Sequence, residues 1–216
     1  DQVGDLHEAS ILQSGIANYS LVLQRVEGNW TAVEQRGFMN SAFAYQYDSY
    51  DEISIYQDGD GNTATVTQGD HVDSDGFMEA WVVQDGDGNL AEVIQLRGDA
   101  HASVEQFGNY NEAYQTQDNF TGEGLAWAVI EQDGRGNYAL QTQTSGSGLE
   151  GYIYQTGRDN VATQTQSNAW SLSPVPSYAL TTQTGNENEG HIVQTSQSAM
   201  AIITQTGNNN LATINQ

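Results

Sequence analysis

Along most of this chain the small and apolar residues fall two positions apart, not three or four. Ala64-Val66-Gln68, Ala91-Val93-Gln95, Ala102-Val104-Gln106 and Ala201-Ile203-Gln205 alternate mainly with Thr, Glu and Ser. A period of two predicts half-buried strands. Each run ends on glutamine, and the glutamines form one register: Gln13, Gln24, Gln35, Gln46, Gln57, Gln68, Gln84, Gln95, Gln106, Gln117, Gln132, Gln143, Gln155, Gln166, Gln183, Gln194, Gln205 and Gln216. Gln2 lies one further step of eleven before them. From Gln13, alternate steps are always eleven residues, whereas those between them run from 11 to 17. The repeating unit is therefore a pair of segments, about 22 residues long, present nine times.

The constant joint reads Gln-x-Gly-x-x-Asn-x-Ala-x-x-x-Gln, as in QDGDGNTATVTQ at 57–68 and QTGNNNLATINQ at 205–216. Its glycines are Gly15, Gly37, Gly59, Gly86, Gly108, Gly134, Gly157, Gly185 and Gly207. They supply the positive φ of a tight turn. Its asparagines are Asn18, Asn40, Asn62, Asn89, Asn111, Asn137, Asn160, Asn188 and Asn210. Asparagine tolerates the left-handed region and bonds its own backbone, so each is expected to help make the turn. Eleven residues would also suit three helical turns, but a Gly-Asn turn interrupts every unit and Thr, Val, Ile and Tyr fill the rest.

A lone hairpin of this kind cannot bury its inner face, so the units must stack. Stacking predicts an all-β, two-sheet β-solenoid of about nine strand–turn–strand rungs. Residues 1–12 form a partial repeat, 13–216 the nine full ones, and insertions fall at 69–79, 118–126 and 167–178. The middle inner column of the first sheet becomes Ile11, Val33, Ile55, Val82, Val104, Ile130, Ile153, Thr181 and Ile203. In the second sheet it becomes Val22, Ala44, Val66, Val93, Gln115, Gln141, Gln164, Ile192 and Ile214. Buried amides are costly singly, yet amides stacked about 4.8 Å apart donate and accept along the column.

Composition then makes sense. Hydrophobic residues are only 37%, thin for an ordinary core, but neighbouring Ala columns let two sheets sit close. The net charge of −23 excludes a cationic nucleic-acid footprint and disfavours anionic membranes. No apolar run approaches a membrane span. There is no cysteine, hence no disulfide or thiolate chemistry. The chain starts at Asp1 without Met, which reads as a mature form whose targeting segment has been removed.

The nine-fold pattern resembles the curlin repeat, whose proteins are subunits of curli, the secreted functional amyloids of bacterial biofilm matrix. Gln, Gly and Asn recur in every copy, and Ala in all but two, where Ser20 and Gly190 stand. The resemblance covers residues 13–216. It implies stacking into cross-β amyloid fibres, export through an outer-membrane secretion pore, and as partners further copies of the chain and a nucleator. It also implies an extracellular, cell-surface location with adhesion and surface colonisation. Better-known members have about five units, and the Ser usual near each unit's start is replaced here, for example by Ala80 and Ala102.

Catalytic or metal chemistry has less support. The DGDGN turns at 58–62 and 85–89 should stack Asp58 over Asp85 and Asp60 over Asp87, an arrangement a Ca²⁺ ion would relieve. The remaining ligands of a calcium loop are missing, so these read as solvated turns. His71 lies in an acidic insertion, and His7, His101 and His191 are scattered, with no Ser or acid at triad spacing. An ice-binding Thr array is broken: Thr65 and Thr67 are followed by Glu92 and Ile94. The expectation is a non-enzymatic, cofactor-free fibre subunit. The rival is a monomeric solenoid acting as a surface adhesin or binding module. A ladder running to Gln216 leaves no room for a terminal cap, which favours the fibre. Residues 183–216 carry only Glu187 and Glu189 as charges and are expected to dominate seeding.

Overall fold

The computed structural model describes residues 1–69, 76–119, 125–144, 148–167, 176–196 and 198–216. All its regular structure is β. The first strands are β1 Gln2–Asp5, β2 Glu8–Ile16, β3 Tyr19–Glu27, β4 Trp30–Phe38, β5 Ser41–Gln46, β6 Glu52–Asp60 and β7 Thr63–Gln68. Then follow β8 Met78–Asp85, β9 Leu90–Gln95, β10 Ala100–Asn109, β11 Glu112–Asp118, β12 Ala126–Arg135 and β13 Tyr138–Thr144. The last are β14 Leu149–Arg158, β15 Val161–Ser167, β16 Ser177–Asn186, β17 Glu189–Gln194, β18 Met200–Asn208 and β19 Leu211–Asn215.

Even-numbered strands make one parallel sheet and odd-numbered strands another, each strand pairing with the one two places on. The chain is a two-sheet β-solenoid. At ordinary strand spacing, nine rungs rise about 43 Å. The residues 70–75, 120–124, 145–147, 168–175 and 197 lie outside the description, and with them most of the three insertions and the whole cluster Asp70 to Asp75.

Register follows the glutamines. In the even sheet Ile55 pairs Val82, Val104 pairs Ile130 and Ile153 pairs Thr181. In the odd sheet Val66 pairs Val93 and Gln115 pairs Gln141. Alternation is strict: β5 and β7 each place three residues inside and three outside. The core is a narrow double row in which the Ala columns carry no exposed surface, for example Ala42, Ala64, Ala91, Ala113, Ala139 and Ala162. Met78, Ala100 and Ala126 form a smaller cluster where rungs pass from the odd sheet back to the even one.

One expectation is corrected. The left-handed residue of each constant turn is not the asparagine but the residue before it: Ala17, Met39, Gly61, Gly88, Tyr110, Gly136, Asp159, Glu187 and Asn209, with φ of 53–70°. The asparagine instead turns its side chain into the stack. A non-glycine residue in that region is strained by about 1 kcal/mol. Met39 is 57% exposed and gives up little contact, so Met39→Gly is expected to stabilise the chain by about 1 kcal/mol or less. Urea unfolding of the two proteins checks this.

Candidate functional site: the amide ladders and the turns

Two glutamine ladders run through the solenoid. The one in the odd sheet stops at Gln194, since Gln194 and Gln216 donate to the Tyr178 and Met200 carbonyls and not along the column. In the even sheet each Nε2 donates to Oε1 of the next rung, from Gln13→Gln35 at 2.6 Å to Gln183→Gln205 at 2.8 Å. In the odd sheet the same bonds run from Gln2→Gln24 at 2.7 Å to Gln166→Gln194 at 3.0 Å. The second amide proton crosses the core. Gln57 donates to the Ser41 carbonyl, Gln106 to Leu90 and Gln143 to Trp127. Each amide thus ties a rung both to its neighbour and to the opposite sheet, which is why sixteen of these glutamines tolerate burial at 5% exposure or less. Gln13 and Gln216, on the edge rungs, are exposed.

A third ladder is shorter. Gln115 Nε2 donates to Gln141 Oε1 at 3.1 Å and Gln141 to Gln164 at 3.2 Å. It ends where Gln164 donates to Thr181 Oγ1 at 3.0 Å. That bond explains why Thr181 interrupts an otherwise aliphatic column. Gly151 replaces Ala for a related reason: a Cβ there would lie 2.2 Å from Gln141 Nε2.

The turn asparagines make a fourth stack. Oδ1 of each accepts the backbone N–H of the next, as Asn40 does from Asn62 at 2.9 Å and Asn160 from Asn188 at 3.0 Å. Nδ2 donates forward to the next turn glycine, Asn40 to Gly59 O and Asn62 to Gly86 O at 2.7 Å. The turn acids join in. Asp58 pairs Asp85 in register, Phe38 N–H donates to Asp60 Oδ1 and Asp60 N–H to Asp87 Oδ1, both at 3.0 Å. Asp60 and Asp87 therefore cap backbone groups. Among the described residues no group of three or more His, Asp or Glu is placed to hold a metal.

No protein-family model, curated protein or solved structure matches this chain.

The other joint holds a position that the sequence reading passed over. Five residues after Gln2, Gln24 and Gln46 stand His7, Asn29 and Asp51, at the spacing that Asn18 keeps from Gln13. Asn29 N–H donates to His7 Nδ1, Asp51 N–H to Asn29 Oδ1 at 2.9 Å, and Met78 N–H to Asp51 Oδ1 at 3.1 Å. Asp51 is 1% exposed and its Oδ2 has no hydrogen-bond partner. Burial pushes this carboxyl up to about 8, against the Met78 N–H, which favours the charge, and with help from nearby Asp48. At neutral pH it stands in for an asparagine.

The sign follows from linkage. The folded state holds the proton more tightly, so the stabilisation is complete below the ordinary value of 3.8 and is lost as pH rises through about 8. Asp51→Asn is expected to abolish that loss, so its advantage over the parent should widen from about pH 4 to about pH 8. Urea midpoints across that range measure it. A constant difference would mean that the carboxyl is hydrated.

Proposed function

We propose that this chain is a self-assembling structural subunit of extracellular fibres of the curli kind, polymerising by end-to-end stacking of its rungs. The observation that supports this most is the polarity of the ladders. Every bond between ladder glutamines of successive rungs runs from Nε2 to the Oε1 of the higher-numbered rung, so the β18 edge offers Gln205 as a donor while the β2 edge offers Gln13 Oε1 as an acceptor. Asparagine runs alongside: Asn210 Oδ1 faces onward, and Asn18 N–H faces back, in the sense of the bond from Asn40 N–H to Asn18. Head-to-head contact sets donor against donor, whereas a second copy added head to tail matches donor to acceptor. It seats β2 on β18 and β3 on β19 once β1, the tenth strand of the odd sheet, gives up its place on β3. That is a heterologous, non-closing contact, which yields filaments. Biofilm matrix, secretion through an outer-membrane pore and a nucleating partner belong to the same reading.

The outer faces carry aromatic columns compatible with adhesion or lateral contacts. Tyr152 lies 6.4 Å from Tyr154 and 5.6 Å from Tyr178, and His101 is stacked on Trp127 at 3.8 Å. They favour a second reading, a monomeric adhesin. Incubation of the pure chain at neutral pH with thioflavin T, followed by negative-stain imaging, separates the two. Fibres whose growth accelerates with salt, as screening of −23 charges requires, are the expected result. Monomers that persist for days and bind surfaces would establish the rival.

A further inference from the structure

The outer face of the odd sheet holds a hydrogen-bonded relay that the ladders do not use. His191 Nδ1 lies 2.7 Å from Thr163 Oγ1, and His191 Nε2 lies 2.7 Å from Glu189 Oε1. A carboxylate accepts only from an N–H, so Glu189 places the ring proton on Nε2. Nδ1 is then a bare lone pair, and Thr163 must be the donor to it. The three residues belong to neighbouring strands: Thr163 pairs His191 in register, and Val161 pairs Glu189. Sequence reading found no partner for His191, because an insertion sets Thr163 and His191 28 residues apart. The imidazole keeps 29% of its surface exposed.

Beside this relay is a place for a ligand. Leu140 is the register partner of Thr163 on the preceding strand, and it lines a groove of about 230 Å³ with Ile94, Tyr114, Thr116, Tyr138 and Glu92. Thr163 does not line the groove; it stands one strand beyond Leu140. An apolar groove one strand spacing from a nucleophile fits the binding of a small acyl group that reaches past Leu140. Thr142 and Thr165, paired with each other two positions along, place hydroxyl donors on the same face.

We propose that Thr163, His191 and Glu189 form a nucleophile–base–carboxylate relay that hydrolyses small acyl esters seated in the adjoining groove. Thr163 Oγ bonds to the acyl carbon as its proton passes to His191 Nδ1, and the carbonyl π pair moves onto oxygen. Collapse of this intermediate expels the alcohol oxygen with its bonding pair, which takes the proton from the imidazolium. Where it leaves as a stable anion, the imidazolium gives that proton to solvent water instead, so that Nδ1 is bare again before deacylation. Water then attacks the acyl-threonine and gives a proton to Nδ1. Oγ departs with the C–O pair and recovers that proton, releasing the acid. Glu189 touches no substrate; it positions the ring and its tautomer. Sheet N–H groups are committed to their ladders, so oxyanion stabilisation is limited and the rate modest. The site needs no second copy and does not rest on the fibre reading.

The full chain, soluble and assembled, is to be assayed with p-nitrophenyl acetate against free imidazole at equal histidine concentration. The expected result is a rate about tenfold above that control, with an acetyl adduct on Thr163 found by mass spectrometry of quenched protein. Thr163→Val keeps the β-branched shape and should remove the adduct and the excess rate; Thr163→Ser should restore both. His191→Gln should match the Val variant. Glu189→Gln should lower the rate and shift the ¹⁵N signals of His191 away from the Nε2–H form. A Thr163→Val chain as active as the parent, or adducts confined to other residues, overturns the proposal.

Discussion

Gly108→Ala is expected to break the stack between the fifth and sixth rungs, whereas Gly61→Ala, two positions beyond the equivalent glycine Gly59 in its own turn, should be mild. A Cβ on Gly108 would lie 2.1 Å from the Gly134 carbonyl oxygen and 3.0 Å from its carbon. No contact that short survives, and the carbonyl cannot retreat. Gly134 is held in register by the β10–β12 pairing and accepts the Asn111 amide at 3.2 Å. Gly108 also has φ of +100°, where L side chains are strained whatever the space. Clash and strain together are expected to cost about 4 kcal/mol or more. At Gly61 φ is +70° and nothing lies within 4 Å of a Cβ, leaving only a left-handed penalty of about 1 kcal/mol. Because rungs touch only their neighbours, the damage should be local. Amide exchange should accelerate in β10 and β12 and much less in β4. Equal unfolding midpoints for the two variants would mean that adjacent turns are not in backbone contact.

The contrast marks what the sequence could and could not convey. Strand pairing was legible because ladder glutamines are counted from fixed positions, and an amide that must stack tolerates no slip. The inner columns followed, down to Gln115, Gln141 and Gln164. The left-handed residue was not legible, since Ala17, Met39, Tyr110 and Glu187 have nothing in common as side chains. The asparagine stack imposes their conformation through its bonds to the neighbouring turns. Asp51 was readable in principle, five residues after Gln46, but a carboxyl gives no sign in sequence that burial will keep it protonated. Thr163 and His191 were hidden by raw spacing, although each stands three residues before a ladder glutamine, Gln166 and Gln194. Gly151 needed the structure outright, because its reason lies across the core in Gln141.

Gln141 supplies the other large effect. At 1% exposure it accepts from Gln115 and donates to Gln164. Gln141→Leu removes both bonds from an apolar-lined column. Gln115 keeps its bond to the Ser103 carbonyl at 3.1 Å, so the chief loss is the donor to Gln164 Oε1, worth about 1–3 kcal/mol. Leucine is also shorter than the amide that fills the space over Gly151. Gly151→Ala, damaging by itself, should therefore recover part of the loss when combined with Gln141→Leu, a coupling that a double-mutant cycle reads directly. Gln141→Glu keeps the length but introduces an acid with no cation beside it. Burial raises such a carboxyl above its usual value of about 4.3. Below that value the protonated acid still donates to Gln164 and replaces the amide well. As pH rises the folded state must either hold the proton or bury a charge, so stability falls until the folded-state pKa is passed. At pH 7 the glutamate variant should be worse than the leucine variant, losing about 3 kcal/mol or more; near pH 4 the order should reverse. The leucine variant should track the parent at every pH. Urea midpoints of the three proteins at the two pH values decide the matter. Equal stabilities at pH 7 would mean that water reaches this column and that the third ladder is not dry.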